Sequence, residues 1–183
     1  EKPMTGRFDN QKVGYFTNPL LSFSDAQQGT DKKQYITRWR MEPKPEDREA
    51  YLKGQTVEPI KPIVFYIDNS TPYQWRSYIK KGIEDWQTAF EKAGFKNAII
   101  AKEITDSMHV DMDDVNYSVL TYAASEKKNA MGPSLLDPRS GEILEADIMW
   151  WHNVLSMVRE WITVQTGTVC PEARSVQLPD SLM

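Results

Sequence analysis

The sequence has one cysteine, Cys170, and two histidines, His109 and His152. A single thiol excludes an internal disulfide, and without a positioned base Cys170 reads as a packed thiol rather than a nucleophile. With so few histidines there is no H-E-x-x-H zinc motif. G-x-S-x-G, a cysteine cluster and a Gly-x-x-x-x-Gly-Lys phosphate loop are also missing. Positive charge is not in excess: 22 Lys and Arg stand against 26 Asp and Glu, a net charge of −4. That argues against nucleic acid as the main partner, because phosphate binding needs a basic face. No apolar run is long enough to span a membrane, and these residues contain no signal-peptide pattern.

What is present is a globular composition: 183 residues, 40% hydrophobic, with six tryptophans and eight tyrosines. That length holds one domain with a sizeable core. Residues 1–58 read as an N-terminal extended or strand segment followed by a Pro-rich linker. Gly14–Thr17 and Leu20–Phe23 are short extended pieces, Gln34–Met41 alternates as a strand, and Glu42–Pro62 is the linker. Arg38 and Arg40 flank Trp39 and read as solvated. Residues 59–183 are the regular part. Pro62–Asp68 is a buried central strand. Thr71 is placed to cap a helix with Pro72 as its first residue. Trp75, Ile79, Ile83, Trp86, Phe90 and Ala93 form its core-facing stripe, and Gly94 ends it. Asn97–Ala101 is a second buried strand, parallel to the first by the crossover rule, and Val115–Ala124 is a third.

The acidic loop Asp106–Asp114 lacks the EF-hand spacing and its central glycine, so it reads as solvated, with His109 a surface residue. Ala130–Leu136 and Gly141–Trp150 are two strands of a hairpin joined by the turn Asp137–Gly141. In the second strand Leu144, Ala146, Ile148 and Trp150 share one face. Glu145 and Asp147 share the other, as wet-face charge rather than an acid/base pair. The first strand is an edge strand with small residues and Pro133. Such a strand is either a protected sheet end or a place where a peptide adds itself. Asn153–Gln165 is a further helix, striped by Val154, Leu155, Val158, Trp161 and Ile162 and capped by Asn153, and His152 before it is structural. Gly167–Pro179 is a loop, and Leu178–Met183 reads as a helix about to begin at Asp180 or Ser181. The chain is therefore read as a fragment.

The fold class is α/β (α+β): a twisted mixed sheet of about five strands, a long helix packed on it and an antiparallel edge strand. Four blocks carry a resemblance: KPIVFYID, Trp75–Ile99, Asn129–Ser134 (NAMGPS) and Asp137–Ile148 (DPRSGEILEADI). With the order of elements, they resemble the upper subdomain of a family of large bacterial zinc-dependent metalloproteases of metzincin type. The early Met4–Arg7, Val13–Phe16 and Arg38–Arg40 segments resemble it too. The resemblance implies a hydrolase whose zinc is held by an H-E-x-x-H-x-x-G-x-x-H helix. That helix is not in these residues, so no catalytic residue and no metal ligand is assigned here, and zinc is expected only in the full-length parent. It also implies that Ala130, Met131, Gly132, Pro133 and Ser134 are substrate-binding, pairing antiparallel with a peptide above the zinc cleft. The implied partners are a peptide or protein substrate, the C-terminal remainder of the catalytic domain, and other copies through self-association. The implied location is the periplasm or cell envelope. Two other readings stand beside it: a non-catalytic peptide-binding module and a structural domain of a larger envelope protein.

Overall fold

A computed structural model describes residues 2–105, 107–167 and 169–170. The chain begins with an antiparallel hairpin, β1 (Thr17–Ser24) and β2 (Gln27–Ile36). The strand expected over Gln34–Met41 therefore lies earlier. Beyond Ile36 the backbone leaves the ladder because its groups are taken elsewhere: Thr37 N donates to Phe16 O (2.9 Å) and Arg38 N to Gly141 O (3.0 Å). The segment expected as a linker is folded. It carries the short helix α1 (Arg48–Leu52), bridges Pro43 to Pro59 and Val57 to Phe95, and buries Val57 in a small core with Phe95 and Ala98. Its prolines shape turns without preventing burial of the apolar residues between them.

The main body is a five-stranded mixed sheet in the order β4-β3-β5-β9-β6. β3 (Ile63–Ile67) lies between β4 (Ile99–Glu103) and β5 (Ser118–Ala123), parallel to both as the crossover rule predicts. β9 (Ile148–Trp151) is parallel to β5, and β6 (Ala130–Met131) closes the edge antiparallel to β9. Ile63, Phe65 and Ile67 alternate onto one face. There they pack with Ile83, Ala101 and Leu120, and Ala146 and Ile148 join from the hairpin. Burial of the Ile, Leu and Phe side chains contributes roughly 1.5–3 kcal/mol each, which makes this cluster the centre of stability.

The long helix is two segments, α2 (Tyr73–Glu84) and α3 (Gln87–Lys92). The break follows from what its side chains hold. Gln87 Oε1 accepts the amide of Ala98 (2.8 Å), its amide group donates to Phe95 O (3.0 Å), and Glu84 Oε1 accepts Ala101 N (3.4 Å). Between these anchors Trp86 is 65% exposed, and Ala93 is exposed as well, so neither is buried with the core stripe. Thr71 does not cap. The helix starts after an extended Pro72, one residue later than expected, and the buried Thr71 hydroxyl has no partner. Gly94 ends the second segment at φ +90°, as expected of a left-handed residue.

The last helix, α4 (Val154–Trp161), continues into a π-helical turn, Ile162–Thr166. Only Val154 of its expected stripe is buried; Leu155, Val158, Trp161 and Ile162 are exposed. Asn153 makes no side-chain capping bond; its side-chain amide donates instead to Glu126 O (3.1 Å). The remainder of the expected C-terminal loop and the helix start at Asp180 or Ser181 lie outside the described residues, as does Asp106. Among the described residues no helix is long and apolar enough to cross a membrane.

Candidate functional site

The expected hairpin forms, and its register decides what its outer edge offers. Ala130 lies opposite Trp150 and Met131 opposite Met149. After two residues outside the ladder, Ser134 lies opposite Ala146 and Leu135 opposite Glu145. The alignment is the same on both sides of the interruption, so β6 and β7 (Ser134–Asp137) run as one edge against β9 and β8 (Glu142–Ala146). A one-residue bulge after Leu135 then leads into the turn. The interruption falls at Gly132-Pro133 and Asp147. There, side chains complete the pairing with β5: Asp147 Oδ1 accepts Val119 N (2.9 Å) and Ser118 Oγ accepts Ala146 N (3.1 Å).

Trp151 N donates to Asn129 O (3.4 Å) and Asp147 N donates to Pro133 O (3.0 Å). In an antiparallel pair successive residues aim their backbone groups alternately inward and outward. Asn129, Met131 and Pro133 thus face β9, and Ala130, Gly132 and Ser134 direct N–H and C=O away from the sheet. The donor that Pro133 lacks is an inward one, so its loss leaves the outer edge intact. The outward-facing residues are the small ones. All five residues expected to bind substrate, Ala130 to Ser134, are exposed. One outward donor is occupied: Ala130 N donates to the Asn129 side-chain oxygen (2.8 Å). The Gly132 amide is the central open donor of the edge.

The N-terminal residues hold the far end of this hairpin. Ile143 N donates to Arg38 O (2.9 Å), and the Gly141 carbonyl accepts Arg38 N. Gly141 has φ +73°, and a β-carbon there would fall against the Ile36 carbonyl. Arg40 grips Glu142 through two nitrogens at 2.7 and 2.6 Å, with the carboxylate side chain only 10% exposed. Arg38 donates to Thr5 O (2.8 Å), and burial together with the nearby Arg7 lowers its pKa. Both arginines are therefore structural cations rather than solvated ones. Trp39 between them packs edge-on against Phe65. Within the turn, Asp137 is buried and held below the usual carboxylate range by the Arg139 side chain and backbone amide.

Glu145 and Asp147 share a sheet face as expected, but it is not a wet face. Both are half-buried, and one Glu145 oxygen is buried without a partner. Loss of water contact, then the hydrogen bond and charge of Asp147, push the Glu145 carboxyl up to about 7. Glu145 therefore keeps its proton up to about pH 7. The opposite face, beneath α2 and α3, carries an open apolar groove of about 620 Å3 between Ile79, Trp86 and Phe90 of the helices and Ala130, Ile148 and Trp150 of the sheet. In the acidic loop, Asp111 and Asp114 accept the backbone amides of Asp113 and Asn116, local turns on a solvated segment where His109 is exposed. His152 is exposed and hydrogen-bonds the Tyr122 hydroxyl through Nδ1. Among the described residues no group of three or more His, Cys, Asp or Glu is placed to hold a metal ion.

Residues 1–44 match a domain family of unknown function, DUF5117. That stretch includes the β1–β2 hairpin and the Arg38–Arg40 strap that clamps the turn. No curated protein and no solved structure matches the chain. Sequence reasoning missed the Arg40–Glu142 anchor, since a pair so distant in sequence leaves no spacing signal. It also missed the inward orientation of Pro133, which only the register reveals.

Proposed function

We propose that this chain supplies the sheet and the substrate-pairing edge of a zinc-dependent peptidase catalytic domain of metzincin type. On this reading the zinc ligands and the general base lie outside these residues, and the chain alone does not cleave. One observation carries it: the outer edge from Ala130 to Ser134 is exposed, carries small side chains, and offers the Gly132 N–H and C=O to an extended peptide. The order of elements, with its antiparallel strand at the edge, and the blocks quoted above support the same reading. The apolar groove beneath α2 and α3 is then the surface that a further helix of the parent covers. Export to the periplasm or cell envelope belongs to the same proposal.

The test is made on the protein encoded by the complete reading frame. It should contain about one zinc per chain and cleave unstructured peptides, with both lost on chelation. A full-length protein that binds no zinc and cuts no peptide overturns the peptidase reading. If it still bound extended peptides, the edge would be that of a non-catalytic binding module.

A further inference from the structure

The carboxyl ends of the parallel strands β3, β5 and β9 open onto a cavity of about 650 Å3, bounded on its far side by α4. In open α/β sheets this end is where ligands settle, and the volume suits a small molecule. Trp75 follows β3 in the first turn of α2, Tyr122 comes from the end of β5, and Trp150 and His152 come from the end of β9. Their rings form a connected wall. Trp75 meets Trp150 at 6.1 Å and 66°, Tyr122 meets Trp150 at 5.9 Å and 88°, and Tyr122 meets His152 at 6.1 Å and 86°. Such a wall presents ring faces and edges to a flat guest.

The polar side chains on the other side are those of Asn153, Ser156, Arg159, Glu160 and Thr163. Glu160, the one acid of the lining, is ion-paired with Lys128. Arg159 also lines the cavity, and its guanidinium makes no ion pair or hydrogen bond among the described residues. The Tyr122 hydroxyl and Nδ1 of His152 are hydrogen-bonded to each other, which fixes the two rings of the wall relative to one another. An unpaired guanidinium is a bidentate receptor for a carboxylate.

We propose that this cavity is a binding site for an aromatic carboxylate, with the ring against Trp75, Tyr122 and Trp150 and the carboxylate on Arg159. The site uses none of the outward groups of β6, so it stands or falls independently of the peptide-docking edge. The probes are phenylacetate, its uncharged isostere phenylacetamide, and cyclohexylacetate, each titrated by calorimetry and tryptophan fluorescence. Phenylacetate should bind and change tryptophan emission. Phenylacetamide and cyclohexylacetate should each bind at least about tenfold more weakly, one for want of the charge and the other for want of the ring. Arg159→Gln should weaken phenylacetate by about the same factor, leave phenylacetamide unchanged and keep the wild-type circular dichroism. Should that variant not fold, the comparison of the three probes on the unmodified chain decides alone. Equal binding of phenylacetate and phenylacetamide, or no binding of phenylacetate at about 5 mM, overturns the proposal.

Discussion

Replacing Glu145 by glutamine should remove a pH dependence of stability that the native chain carries. In the fold the carboxyl is pushed up to about 7, against an ordinary value of 4.5. Between those values the folded state keeps a proton that the unfolded state has released. Stability therefore falls as pH rises from about 4.5 and reaches its lower plateau above about 7. The full gap corresponds to about 3 kcal/mol. Water reaches the half-buried Glu145 carboxyl and screens it, so the expected loss is about 1–2 kcal/mol. Glutamine donates to Asp147 at every pH and should not lose it. Urea denaturation of both proteins at pH 5 and pH 8 gives the comparison, with the slope m checked for constancy. Relative to wild type, Glu145→Gln should gain about 1–2 kcal/mol between the two pH values. An identical offset at both would refute the reasoning.

Arg40→Ala strands the buried Glu142 carboxylate and should cost about 3 kcal/mol in denaturant unfolding, while adding Glu142→Gln should recover part of that loss. Full additivity of the two changes would contradict the pairing. Ile83→Ala, in the main core, should cost about 2–4 kcal/mol, whereas Trp86→Ala, on the exposed turn between α2 and α3, should cost less than about 1 kcal/mol; calorimetric melting separates the two. The apolar groove and the exposed stripe of α4 should make the chain self-associate, giving a mass in light scattering that rises with concentration. A mass that stays monomeric at high concentration would count against it.

The elements with strong local periodicity were legible in the sequence. The apolar run of β3, the stripe of α2, the glycine that stops α3 and the alternation of β5 each depend on neighbours within a few residues. Elements decided by distant partners were not. The strap at Arg38–Arg40 alternates like a strand, yet its backbone bonds go to Phe16 and the Gly141 turn, so it extends no hairpin. Nothing local marks Glu142 for burial; Arg40, far away in the chain, holds it there. Trp86 fits the helical stripe by spacing and lines the groove with Ile79 and Phe90, yet it stays 65% exposed because the groove is open. At the candidate site the edge itself was legible from small residues and proline. Its chemistry was not, because which residues face outward is fixed by pairing with β9.

The docking edge is tested most directly by backbone amide NMR of this chain, titrated with an excess of an extended, unstructured peptide. The outward amide of Gly132 should shift and become protected from exchange, while the inward amide of Met131, already bonded within the sheet, should move far less. A Gly132 amide that neither shifts nor gains protection at about millimolar peptide would contradict the assignment of this edge as a substrate-pairing strand.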